Sequence, residues 1–310
     1  GAGIGSEVLT AVRDIVAAGR IPVVAGVAPD ARTLLLLGGF ESMTAEVVSE
    51  LERRGHPGVT ATHEFALRAV DEDGKVLRGR FARGLTLHSG WVDGATDHTA
   101  KILADTLPSG TRFEVTYAFE DEAGRLGESA VARFTTAPGE RFGRKTSAAQ
   151  SFVWTADTAG QGYGINPEIG GMRGYAAMHA TMPDFFLHSG DTIYADGPIE
   201  AEHQEPDGQV WRNVVTEGVA KVAETQEEFR ARHRYNMMDH NIRDFYAHTA
   251  LLSQWDDHET TNNWYPGETL EDERYTVLDV DTLAQRGRRA WQEYQPIGDA
   301  RALKPGTSGF

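Results

Sequence analysis

The sequence of 310 residues has no cysteine, no long hydrophobic run and far fewer basic than acidic side chains, and each of these lacks removes a class of function. Without Cys there can be no disulfide, thiolate metal site or cysteine nucleophile, and either redox compartment remains open. No apolar stretch approaches the roughly 20 residues needed to cross a bilayer. The start, Gly1-Ala2-Gly3-Ile4-Gly5, carries neither the basic region nor the apolar core of a signal peptide. The expectation is a soluble protein from which any export signal has been removed. With 30 Lys and Arg against 46 Asp and Glu, the net charge is -16, so the average field repels nucleic acid and anionic membranes. Bound cations can reverse that field locally, so phosphate esters remain possible ligands of an acidic protein. The 34 Gly and 12 Pro, without any low-complexity tract, describe a loop-rich globular chain long enough for a sizeable core.

Along the chain the hydrophobic period changes twice. Residues 1–55 read as two helical stretches, Ser6 to Gly19 and Thr44 to Arg54, around an apolar segment, with no evident chemistry. From Thr60 the period becomes two. Phe65, Leu67 and Ala69 lead to the hairpin signal Asp73-Gly74, and Phe113, Val115, Tyr117 and Phe119 alternate with Arg112, Glu114 and Thr116. Residues 56–138 are therefore expected to form a small fibronectin-like β-sandwich, with Leu107 to Phe113 resembling the approach to its last strands. Residues 139–150 read as a linker. Beyond it, Ser151 to Ala156, a glycine-rich loop, a helix from Met172 to His179 stopped by Pro183, and Asp184 to Leu187 make a βαβ unit with parallel strands. A capping box at Thr225 and Glu228 opens further helix, with Phe229, Met238, Ile242 and Phe245 expected to be buried, and a third apolar run follows at Leu251 to Trp255.

These three apolar runs end alike. Trp154 leads to Asp157, Leu187 to Asp191 in His188-Ser189-Gly190-Asp191-Thr192-Ile193-Tyr194, and Trp255 to Asp257 in Asp256-Asp257-His258-Glu259. Parallel strands at about 4.8 Å spacing bring such ends into one pocket. Carboxylates at roughly 3 to 4 Å cannot all stay ionised unless a cation holds them. Oxygen donors dominate, with the Tyr194 phenol among them, which favours hard ions such as Fe³⁺, Mn²⁺ or Ca²⁺. A carboxylate bridging two such ions would support hydrolysis by a metal-bound hydroxide.

The segments FVWTADTAGQGYGINPEIGGM, PDFFLHSGDTIYADGPI and LLSQWDDHETTNNWYP resemble the motif blocks of the alkaline phosphatase D family of metallophosphatases, over about residues 56 to 297. Gly-Asp-x-x-Tyr alone is shared with purple acid phosphatases. The resemblance implies an α/β protein: a four-layer metallophosphoesterase sandwich, begun by residues 151–310, behind an all-β domain. It implies Fe³⁺ with Ca²⁺, ahead of Mn²⁺ or Zn²⁺, hydrolysis of phosphomonoesters or phosphodiesters, and a periplasmic or secreted location. By motif, Asp157 would bind the first metal, where some members have Cys, and Asp191 would bridge the pair. Tyr194 would be the phenolate ligand of Fe³⁺. Asp257 stands where related enzymes have the Asn of Asn-His-Glu and would bind the second metal. His258 would face the phosphate or the leaving group, and Asn262 or Asn263 would be a further ligand or phosphate contact. The first block lacks the His of Asp-x-His, and the chain stops before the family's Gly-Asp-x-His block. The expectation is a fragment of an active phosphoesterase, the alternative a truncated, inactive binding module with a vestigial cleft.

Other residues admit plainer readings. Gly160-Gln161-Gly162-Tyr163-Gly164-Ile165 lacks the third Gly of a dinucleotide loop and is read as a wrap around the metal site. His188 is either a hydrogen-bonded packing residue or a support for a ligand. Asp196 and Asp256 read as supporting or capping residues as readily as ligands. Trp255 and Trp264 are expected in the core, and Arg286, Arg288 and Arg289 on a solvated helix face.

Overall fold

The computed structural model describes residues 23–27, 34–38, 61–71, 73–77, 85–92, 94–104, 107–120, 130–141, 144–145 and 149–297. The two helical stretches expected before residue 55 lie outside the described residues.

The three apolar runs become β10 (Phe152–Thr155), β11 (Phe185–His188) and β14 (Ala250–Ser253), adjacent and parallel in that order. Thr155 is level with His188, and His188 with Ser253, so their carboxyl ends are flush and the loops that follow share one edge. The sheet continues through β1 (Val23–Val27), parallel to β14, then β2 (Leu34–Gly38) and β5 (Ala100–Ala104), both antiparallel. Strand pairing thus carries residues from before 56 and from within 56–138 into the same sheet as the βαβ unit.

A second, four-stranded antiparallel sheet runs in the order β4 (Leu85–Val92), β3 (Ala61–Ala69), β6 (Arg112–Glu120), β7 (Ala130–Thr135). Its period of two is explicit on β6, where Phe113 and Val115 are fully buried while Arg112 is exposed. Asp73-Gly74 forms the expected turn, with Asp71 Oδ1 accepting the Asp73 and Lys75 amides.

Four α-helices are described among residues 151–297: α1 (Arg173–Ala180), α2 (Gln226–Met237), α3 (His240–Tyr246) and α4 (Val280–Tyr294). The capping box at Thr225 and Glu228 is present in both directions. The helix it opens does not run on to Phe245. Asp239 interrupts it, because its Oδ1 caps α3 through the Asn241 and Ile242 amides while its Oδ2 holds the Met172 amide at 2.8 Å. Met238 therefore sits at a helix break and is exposed, contrary to the buried position expected for it, whereas Phe229, Ile242 and Phe245 are buried. Tyr175, Phe186, Ile242, Phe245 and Leu251 join α1 and α3 to the six-stranded sheet, and Phe229, Val280, Leu283 and Ala290 form a second core around α2 and α4.

Behind the sheet edge, α2, α4 and the 94–99 segment share buried ion pairs. Arg230 forks onto Glu293 at 2.7 and 2.8 Å, Arg234 pairs with Asp97, and Tyr294 donates to Asp97. Arg289, exposed as expected, reaches Glu293 and the Ala95 carbonyl, and the half-buried Arg286 donates to the Glu224 carbonyl.

Candidate metal centre

The loops leaving the three parallel strands are laced by their backbones. Ser189 donates to the Thr155 carbonyl, Thr158 to that of Asp191, and Gln254 to that of His188, at 2.9 to 3.0 Å. Gly190 has φ +97°, and a Cβ there would run into the Cβ of Asp256. Glycine alone lets the two loops close to this distance. Asp157 and Asp191 follow in left-handed conformations, at φ +62° and +54°, which Asp tolerates better than most residues and which turn both side chains off the strand path.

The result is a convergence of Asp191, Asp257 and His258, whose candidate ligand atoms all lie within 4.8 Å of one another. Asp191 is buried, and its Oδ1 accepts the His258 amide at 3.2 Å. Burial, reinforced by the nearby Glu259 and Asp257 carboxylates, pushes the Asp191 carboxyl up to about 7. The two carboxylates suit a hard cation, which would remove this electrostatic cost, while the imidazole lies beside them. The donor set therefore fits a metal.

Tyr194 borders the group. Its ring stacks on the His258 imidazole with centroids 4.1 Å apart, and its hydroxyl donates to Asp157 Oδ1. Burial, then the Asp157 contact and the neighbouring carboxylates, raise the phenol above its ordinary range. The glycine loop explains how the ring fits, since a Cβ on Gly160 would lie 2.5 Å from ring carbons of Tyr194. Asp157 thus enters through Tyr194 rather than through the convergent group. The loop is held from outside by Asn213, whose amide accepts from Gly164 N and donates to the carbonyls of Gly162 and Glu200.

Asp196 takes a definite place. Its carboxylate accepts His258 Nδ1 at 2.9 and 3.0 Å and the Asn262 amide at 2.9 Å. Burial opposes protonation of His258, but Asp196 and the surrounding carboxylates outweigh it and raise the imidazole above its usual value. Asn263, at φ +53°, donates its backbone amide to Asp257 Oδ2 at 2.5 Å. His188 stands apart. It is fully buried, with Nε2 3.0 Å from Thr158 Oγ1, which in turn lies 2.6 Å from the Tyr175 hydroxyl. Burial draws this imidazole down to about 4, so it is neutral.

Two further residues, Glu259 and Thr158, were given no role in the sequence. Glu259 is marked only by following His258, and Thr158 only by following Asp157. Beside Asp257 opens a cleft of about 260 Å³ lined by Trp255, Asp256, Asp257, Trp264 and Pro266. Trp255 meets Trp291 edge to face at 5.8 Å, and Trp264 packs against the α2–α4 core, so both indoles serve packing as well as the cleft.

The profile of the PhoD-like phosphatase family matches residues 152–308, which is half of the chain. A solved structure described as that of PhoD superposes with a TM-score of 0.59 at 23% identity, covering 90% of this chain and 46% of that one. The chain thus spans about half the length of that structure. A purple acid phosphatase, PPD1 from yellow lupin (Lupinus luteus), gives a TM-score of 0.43 at 12% identity over 86% of this chain and 39% of that one. No curated protein sequence matches. The mixed α/β fold is similar to that of PhoD, and by its sequence this chain belongs to the PhoD-like phosphatase family.

Proposed function

We propose that the protein is a metal-dependent phosphoester hydrolase acting on phosphomonoesters or phosphodiesters, in the manner of alkaline phosphatase D. The observation that carries this reading is the convergence of Asp191, Asp257 and His258 at flush strand ends. Asp157, Asp191, Tyr194 and Asp257 would hold the metals, Fe³⁺ with Ca²⁺, and Asn262 or Asn263 would complete the shell or contact phosphate. Bound there, the cations would neutralise phosphate oxygens and lower the pKa of a water to supply a hydroxide nucleophile.

The chain's own residues supply orientation and a proton. Asp196 accepts Nδ1 of His258, which leaves Nε2 for the substrate. Its hydrogen bond to Asp196 favours the protonated imidazole, which would give a proton from Nε2 to the departing alcohol oxygen. Stacking on Tyr194 fixes the plane of the ring. The Trp255–Trp264 cleft offers the alcohol a place beside Asp257. His188, neutral and buried, supports the loop through Thr158. The same reading includes a fibronectin-like layer at 56–138 joined through 139–150 to the metallophosphoesterase sandwich, and a periplasmic or secreted location.

The test is turnover of p-nitrophenyl phosphate and bis(p-nitrophenyl) phosphate by the whole protein, together with its visible spectrum. Hydrolysis of either ester is expected, with a tyrosinate-to-iron band that Tyr194→Phe removes. A colourless, fully active enzyme would refute the iron and Tyr194 assignments, and no turnover of either ester would favour the inactive binding module.

A further inference from the structure

We infer that Glu259 is a positioning residue whose carboxylate clamps together the two loops carrying Asp191 and Asp257. The inference rests on the reading of those two aspartates as cation ligands. Glu259 is fully buried, and both its oxygens are saturated. Oε1 accepts the Thr192 amide and hydroxyl, each at 2.6 Å, and Oε2 accepts the Asp256 amide at 2.7 Å and the Asp191 amide at 3.3 Å. A carboxylate has about four acceptor sites, so none is left over for a metal or a substrate.

The donors define what the clamp does. Asp191 and Thr192 belong to the loop after β11, whereas Glu259 and Asp256 belong to the loop after β14. One side chain therefore crosses from one ligand loop to the other, and also closes the turn in which Asp257 lies. Thr260 N donates to the Asp257 carbonyl within that turn at 2.8 Å. The outer side of each loop is fixed as well. Asn236 Nδ2 donates to the Thr192 carbonyl at 2.7 Å, and Gly287 of α4 packs so closely on the Glu259 carbonyl that a Cβ would collide with it. Within this frame the carboxylate is the element that spans the two loops, and a metal site tolerates little error in ligand separation.

A glutamine at 259 has the same shape but places an NH₂ group against N–H and O–H donors, so one side of the clamp must open. Another buried carboxylate, Glu293, serves as the control because its partners are Arg230 and Arg289 on the helices rather than groups of the two loops. The experiment measures Mn²⁺ affinity of the chelator-treated whole protein by isothermal titration, alongside the melting temperature. Glu259→Gln is expected to weaken Mn²⁺ binding at least tenfold, whereas Glu293→Gln lowers the melting temperature and leaves affinity within twofold. Thr192→Val, which removes only the hydroxyl donor, is expected to weaken binding two- to fivefold and keeps the test decisive if Glu259→Gln does not fold. Glu259→Gln or Thr192→Val binding Mn²⁺ like the wild type, with only the melting temperature reduced, would overturn the positioning role. Wild-type protein that takes up no Mn²⁺ would instead overturn the metal reading on which the role depends.

Discussion

Two clusters of buried charge lie on either side of α2, and they are built on opposite plans. In the cluster behind the helix, Arg230 faces Glu293 and Arg234 faces Asp97, with Tyr294 donating to the same aspartate. Each anion there has its cation. At the strand ends, among the described residues, Asp191, Asp257 and Asp196 accept hydrogen bonds from backbone amides and one imidazole, and Arg232 and Arg274 act on Asp196 through space without pairing with its carboxylate. Folding alone gains little from drawing carboxylates together in this way, because each raises the cost of ionising the next. The contrast separates a region whose charges hold the fold from one whose charges await a partner.

The largest effects should separate the two clusters by what is lost. Asp257→Ala, which removes the donor oxygens altogether, is expected to reduce ester hydrolysis by roughly a thousandfold while the melting temperature moves by only a few degrees. Arg230→Met should do the reverse. It leaves Glu293 buried with only the exposed Arg289 at 3.3 Å, at a cost of about 3 kcal/mol in stability by chemical denaturation, while turnover per folded molecule stays within about twofold. Equal losses of activity in the two variants would erase the distinction.

Next in size, Asp196→Asn should reveal His258 as a proton donor. The expected loss in kcat is about 100-fold for an alkyl phosphate and under about threefold for p-nitrophenyl phosphate, whose leaving group needs no proton. A uniform loss across leaving groups would mean that Asp196 only supports the loop.

The strain in the carboxylate cluster has its own signature. Asp191 titrates near 3.8 when unfolded and about 7 when folded, so the metal-free folded state holds the extra proton between these values. Its favourable contribution is complete below 3.8 and is lost as pH rises through 7. Asp191→Asn carries no such charge. The metal-free variant should therefore be more stable than the metal-free wild type at pH 8 by about 1 to 3 kcal/mol, with the difference vanishing near pH 4.

The smallest effect concerns a carboxylate that is answered. Burial opposes ionisation of Glu224, but the amides of Val277 and Thr276, the Thr276 hydroxyl and Lys221 prevail and bring it down to about 2. Its contribution is present above 4.5 and lost as pH falls towards 2. Glu224→Gln should cost about 1 to 2 kcal/mol near neutral pH and narrow its gap to the wild type as the solution is acidified, as read from denaturation at both ends.

What could be read in advance followed from period and from strand ends. Short apolar runs closed by Asp announced β10, β11 and β14, and their flush register brings Asp191, Asp257 and His258 together, while Asp157, at the end of the first run, meets the group through Tyr194. The Thr225 capping box was legible because both partners are local. Asp239 was not, because its helix-breaking hold on Met172 spans 67 residues and leaves no local pattern. Glu259 escaped for the same reason, since its partners Asp191 and Thr192 are remote in sequence. Arg286 looked like part of a solvated face because helical spacing cannot show the Glu224 carbonyl that receives it, whereas Arg289 is exposed even as it reaches the Ala95 carbonyl. Nor could local pattern show that β1, β2 and β5 extend the sheet that carries the site.

The central claim, that the strand-end carboxylates hold cations on which ester hydrolysis depends, is tested most directly by one measurement. Turnover of bis(p-nitrophenyl) phosphate by the whole protein is followed after chelator treatment and again after metal is restored. Loss of activity on stripping and its return with metal is the predicted result. Full turnover by protein shown to be free of metal would contradict the account.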